Sequence, residues 1–158
     1  MTTFLDNIRT SYDTVASSYA EVVQGPAGGE DEALDLIGEK LSGPILDAGC
    51  GPGRLAGRLH ARGVRVFGMD LSQAMVDIAR RDHPEIGFAV ASVTALPVFT
   101  GSLAGVIAWW SLIHLPRDVL PEALGGSTVP LRLGRSSYSG FMPAKAAFTR
   151  HPGTAGIR

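Results

Sequence analysis

The chain has 158 residues, of which 45% are hydrophobic, and fourteen lysines and arginines stand against fifteen aspartates and glutamates. That is the size of one domain with a real core, and the near-balanced charge excludes a general attraction to nucleic acid. A single cysteine, Cys50, excludes an internal disulfide and fits a reducing compartment.

The start, Met1 to Asp6, lacks a basic flank and a long apolar core, so no signal peptide is expected. Leu5, Ile8, Tyr12, Val15 and Tyr19 alternate spacings of three and four, which predicts a helix with one apolar face. Gln24 to Gly29 reads as a linker, and Glu30 to Leu41 as a second helix with Ala33, Leu34, Ile37 and Leu41 on one side. Ser42-Gly43-Pro44 ends it and leads into a buried strand closing with Ile45-Leu46. Three glycines at alternate positions, Gly49, Gly51 and Gly53, then predict a sharp turn, and Leu55, Ala56 and Leu59 a helix after it. Gly63 stops the chain, and Val64 to Met69 predicts the second strand, closed by Asp70. Ser72 is a predicted N-cap for a helix carrying Met75, Ile78 and Ala79 and ending before Pro84. Ile86 to Ala91 is the third predicted strand and Val93 to Gly101 a loop. Leu103 to Trp110 reads as a fourth strand of the kind covered on both faces. The apolar run to Leu115 is too short to span a bilayer, so a soluble cytoplasmic protein with no membrane partner is expected. Strands alternating with helices predict an open, mainly parallel α/β sheet with helices on both faces.

Strand, glycine turn and helix suit several nucleotides. A P-loop needs a Gly-Lys-Ser/Thr end, which is absent, and the dinucleotide fingerprint needs a glycine where Arg54 stands. The remaining pattern, Asp47-x-Gly49-x-Gly51-x-Gly53, resembles motif I of the class I S-adenosylmethionine-dependent methyltransferases. Asp70 strengthens the likeness, because an acid at the end of the next strand can hold two vicinal ribose hydroxyls. Tyr12-Asp13-x-x-Ala16-x-x-Tyr19 is similar to the N-terminal helix that closes over the cofactor in many small-molecule members. The resemblance covers Asp6 to Leu124 and implies a Rossmann-like fold, with S-adenosyl-L-methionine as cofactor and S-adenosyl-L-homocysteine as product.

It also implies roles. Gly49, Gly51 and Gly53 would let backbone groups meet the methionyl portion, with Asp47 ordering the loop and facing the amino group and Tyr12 reaching the same end. Asp70 would accept from the ribose, while Leu71 and Met75 would pack near the adenine. Ser92 and Val93 match the positions that meet the adenine edge, although Ser92 replaces the usual acid. Trp109 to Leu115 falls where the family places the methyl group and acceptor, with Trp109 beside the cofactor and His114 as a candidate general base, a histidine being able to exchange a proton near neutral pH. Arg54 is expected to be a solvated first-turn residue and Cys50 to be inert. His60, His83 and His151 have no metal-ligand spacing, and no metal is expected. The segment after the fourth strand lacks the Asp/Asn-Pro-Pro-aromatic motif of amino-directed DNA methyltransferases, which argues against a base-flipping enzyme, so no nucleic-acid partner is expected, and the resemblance to small-molecule members implies a small-molecule acceptor.

Past Leu124 the chain changes character. No acid follows Glu122, and neither strand nor helix periodicity is found. The expectation is an incomplete methyltransferase domain over 1–124 and an irregular tail over 125–158, truncated, frame-shifted or degenerate, lacking the closing strands. The fourth strand would then keep an unpaired edge, inviting dimerisation. Two other readings stand beside methyl transfer: a non-catalytic cofactor-binding fragment, and a nicotinamide-dependent oxidoreductase.

Overall fold

The computed structural model of the protein describes residues 3–25, 30–98, 102–116 and 118–119, together with the backbone of 146–149. The elements are α1 (Phe4–Val22), α2 (Glu30–Lys40), β1 (Ile45–Ala48), α3 (Arg54–His60), β2 (Val66–Asp70), α4 (Gln73–Asp82), β3 (Gly87–Val90), β4 (Gly105–Ala108) and β5 (Ala146–Thr149). The strands lie in the order β3-β2-β1-β4-β5; β1 to β4 are parallel and β5 runs antiparallel to β4. From β1 the chain builds outward to one side through β2 and β3, then returns to the other side at β4. Open α/β sheets bind ligands outside the carboxyl ends of the strands at such a reversal.

Both faces of the sheet are buried, which is why its strands carry apolar residues at successive positions. Ile45, Val66, Phe88 and Ile107 face one layer, where they meet Leu34 and Ile37 of α2, Leu55 and Leu59 of α3, and Val76 and Ala79 of α4. Leu46, Ala48, Met69, Val106 and Ala108 face the other, covered among the described residues by Leu103, Leu112 and Leu115 and by the segment after β3. Gly68 lies on the first face. A Cβ there would come within 2.6 Å of the Phe88 ring and 2.9 Å of the Cys50 Cβ, so the missing side chain lets β3 and the glycine turn approach each other over β2.

α1 opens with a capping box, in which Thr3 Oγ1 accepts from Asp6 N–H while the Asp6 carboxylate accepts from Thr3 N–H. It packs on α4, with Ala16 against Met75 and Ile78. The expected Ser72 cap of α4 is present, its hydroxyl accepting from Met75 N–H at 3.1 Å.

Two strands are shorter than their sequence predicts. β2 begins at Val66 because Val64 N–H is used to close α3, donating to Leu59 O at 3.1 Å. β4 ends at Ala108 because Trp110 takes a φ of 60°, which extended backbone cannot accommodate. β5 lies in the segment that shows no strand periodicity, and it occupies the outer edge of β4 from Gly105 to Ala108. The rest of 125–158 lies outside the described residues. Among the described residues no helix is long and apolar enough to cross a membrane.

Candidate functional site

Gly49, Gly51 and Gly53 take φ values of 77°, 53° and 84°, left-handed conformations that side chains disfavour. The turn they form is pinned to the end of β2. Gly49 and Cys50 N–H both donate to Met69 O, at 2.7 and 3.0 Å, and Gly51 N–H donates to Asp70 Oδ2 at 2.8 Å. Gly49 is also pressed against the segment after β4: a Cβ on it would lie 2.1 Å from the Ser111 Cβ. Gly53 serves a different purpose. It precedes α3, and its missing side chain makes room for Ala79, Phe88 and His83, which a Cβ would meet at 3.0 to 3.1 Å.

Asp70 holds the turn through one oxygen and α4 through the other, Oδ1 accepting from Ser72 N–H at 2.9 Å. Burial pushes its pKa up, against the pull of the N–H groups of Ser72, Gly51 and Leu71. Each carboxylate oxygen has a second lone pair, so Asp70 keeps acceptor capacity toward a ligand. Asp47 is only 1% exposed, and its Oδ2 has no hydrogen-bond partner among the described residues. Burial first, and then the charge of Asp70, raise its pKa from 3.8 to about 7, while Arg54 opposes the shift. Arg54 is already committed. It bonds buried Glu30 at 2.7 Å and Gly25 O at 3.1 Å, which corrects the expectation that it is a solvated residue. The fully buried Glu30 carboxylate is what draws it in, helped by a second arginine, Arg58, also at 2.7 Å.

A cavity opens at the carboxyl edge of the sheet under α1. Of the residues singled out from sequence, Tyr12, Gly49, Gly51, Asp70, Leu71, Met75, Ser92, Val93, Trp109 and His114 line it. Asp47 borders an adjoining hollow that shares Gly49, Gly51, Trp109 and Trp110. Gly53 lines neither. Ser92 Oγ lies 2.7 Å from Thr94 Oγ1, so its hydroxyl is engaged with the loop after β3. Cys50 is buried, and burial pushes its thiol pKa up, which keeps it protonated and unreactive. Among the described residues no cluster of three His, Cys, Asp or Glu is placed to hold a metal.

Three features escaped the sequence. Tyr12 Oη lies 2.6 Å from His114 Nε2, joining α1 to the segment after β4. Asp13 accepts from Ser72 Oγ at 2.5 Å and from Ala74 N–H at 3.2 Å, joining α1 to the start of α4. Ser111 lines the cavity, and its buried Oγ has no partner among the described residues.

A parallel sheet whose central strand ends in a left-handed glycine turn, flanked by acids on that strand and the next, defines an open α/β domain of Rossmann-like class with its ligand site at the carboxyl edge. The chain belongs to the methyltransferase domain family, whose sequence profile matches residues 45–128. It is 31% identical over 90 residues to the malonyl-[acyl-carrier protein] O-methyltransferase of Salmonella typhimurium, an alignment covering 57% of this chain and 36% of that protein. It is 25% identical over 158 residues to the demethylmenaquinone methyltransferase of Renibacterium salmoninarum, covering 92% of this chain and 65% of that one. The chain thus spans from about a third to just under two thirds of these relatives' length. Among solved structures, the magnesium protoporphyrin IX methyltransferase of Synechocystis PCC 6803 with bound SAM shares the fold. Its TM-score is 0.62 at 17% identity, over 93% of this chain and 95% of that one.

Proposed function

We propose that the chain is the cofactor-binding domain of an S-adenosylmethionine-dependent methyltransferase acting on a small-molecule acceptor. The observation that carries this reading is the buried, unpartnered Asp47 Oδ2 beside a left-handed glycine turn, with Asp70 as a second carboxylate nearby. That arrangement suits a ligand with a positively charged end. The cation would supply the partner that Arg54, held by Glu30, does not give Asp47. When bound, S-adenosylmethionine supplies a methyl group on a sulfonium sulfur, which an acceptor's lone pair displaces to leave S-adenosylhomocysteine.

The work of the protein is then holding, aligning and excluding water. Gly49 and Gly51 bring backbone against the methionyl portion, Asp70 takes the ribose hydroxyls, and Leu71, Met75 and Val93 wall the adenine. Tyr12 and Trp109 close the sulfonium end. His114, at the rim, takes the proton that an O–H or N–H acceptor gives up. The family membership and the malonyl-carrier and quinone methyltransferases among the relatives support the reaction class.

Calorimetric titration of the protein with S-adenosylhomocysteine tests this. Saturable binding that is lost in Asp70→Ala is the expected result, with circular dichroism showing both proteins folded. A folded wild-type chain that binds none overturns the proposal.

A further inference from the structure

Ser111 belongs to the cavity wall but is used by neither the glycine motif nor the catalytic assignment. Its surroundings are unusual in three respects. Its Oγ is buried with no hydrogen-bond partner among the described residues. It follows Trp110, whose φ of 60° is a conformation that bulky residues rarely take. That strained residue delivers Ser111 directly onto Gly49, where a Cβ built on the glycine would stand 2.1 Å from the Ser111 Cβ and 3.0 Å from its Oγ.

An orphaned buried hydroxyl and a strained backbone both cost stability, and neither serves the packing: an alanine would fill the same contact without the unpaired group. Such strain persists where a site needs it. Ser111 lines the main cavity. Two buried polar atoms without partners among the described residues thus belong to neighbours of Gly49, Asp47 two positions before it in the chain and Ser111 packed against it, and they differ in kind. An ionised carboxylate only accepts, whereas a hydroxyl also donates.

We infer that Ser111 is a cofactor-binding residue, its hydroxyl donating to the carboxylate of the cofactor's amino-acid end while Asp47 takes the ammonium. The inference rests on the cofactor assignment above and adds a residue of this chain to it. A zwitterionic amino-acid head needs one acceptor and one donor, and Asp47 and Ser111 offer these from the adjoining hollow and the main cavity, which share Gly49. Adenosine, which has no such head, makes no use of Ser111.

The test is calorimetric titration of the full chain and of Ser111→Ala with S-adenosylhomocysteine and, separately, with adenosine. Ser111→Cys is a second variant that keeps the size of the side chain and weakens the donor. Removing a hydrogen bond to a charged group is expected to weaken S-adenosylhomocysteine on the order of tenfold or more in both variants, with adenosine affinity unchanged. The thermal midpoint of Ser111→Ala should equal or exceed that of wild type, since an unpaired group has been removed. Variants that bind S-adenosylhomocysteine as wild type does, or that lose it and adenosine equally, overturn the assignment of Ser111 alone. A wild-type chain that binds neither ligand overturns the cofactor assignment and Ser111 with it.

Discussion

Tyr12 Oη and His114 Nε2 stand 2.6 Å apart across 102 positions of sequence, with ring centroids 5.5 Å apart in an edge-on arrangement. The contact ties the helix over the cavity to the segment that bears the candidate base. The Tyr12 hydroxyl donates to a bare Nε2 or accepts from Nε2–H, so the direction of the bond follows the imidazole tautomer.

Tyr12→Phe keeps the ring and removes the hydroxyl, leaving Nε2 without this partner. We expect a loss of about 1 kcal/mol in urea unfolding. In a double-mutant cycle with His114→Ala, the two losses should fall short of additivity by about 0.5–1.5 kcal/mol. Additive losses would show that the two side chains do not interact.

Gly49 and Gly51 differ in what a methyl group would meet. At Gly49 it would collide with Ser111, whereas at Gly51 nothing lies within 4 Å. Gly51→Ala should therefore lose only the left-handed backbone term, about 1–2 kcal/mol. Gly49→Ala adds overpacking and should lose about 3 kcal/mol or more. Equal losses at the two sites would mean that Ser111 gives way freely.

Asp47 makes stability fall with rising pH. Its native pKa of about 7 lies above the unfolded value of 3.8, so between these values the native state holds a proton that the unfolded state has released. The stabilisation is fully present below about pH 4 and is lost as pH rises through about 7, by on the order of a few kcal/mol. Asp70, also raised, acts with the same sign. Asp47→Asn should flatten the decline in urea midpoint between pH 5 and pH 8. S-adenosylhomocysteine, placing an ammonium on the ionised form, should release protons on binding below pH 7. Calorimetry in buffers of differing ionisation enthalpy reads that release, and its absence would remove Asp47 from the ammonium site.

Glu30 is fully buried between Arg54 and Arg58, each at 2.7 Å. Glu30→Gln keeps the shape but leaves two guanidinium groups without their shared anion. We expect a loss of about 3 kcal/mol, since the change strands Arg54, whereas Arg58 keeps Asp31. A change under half of that would show that water compensates Arg54.

What the sequence disclosed was local. Asp47, the three glycines and Asp70 sit within one strand-turn-helix-strand stretch, where chain spacing alone sets geometry, and the structure gathers all but Gly53 around the cavity and its adjoining hollow. Ser111 against Gly49, Glu30 under Arg54 and Tyr12 at His114 depend on sheet order and helix docking, which no short-range period encodes. Trp110 misled for a different reason. Its apolar neighbours read as continuing strand, and tryptophan carries none of the signal that a glycine or asparagine gives for a positive φ.

The two side chains by which α1 grips the domain, Tyr12 and Asp13, find partners that lie 102, 59 and 61 residues further on. α1 therefore cannot be seated early, because its landing sites do not exist until α4 and the end of β4 have formed. Contacts so distant in the chain cost loop-closure entropy before they return anything. α1 should accordingly be the first element to exchange its amide protons, ahead of β1, and seating it is the final step that roofs the cavity.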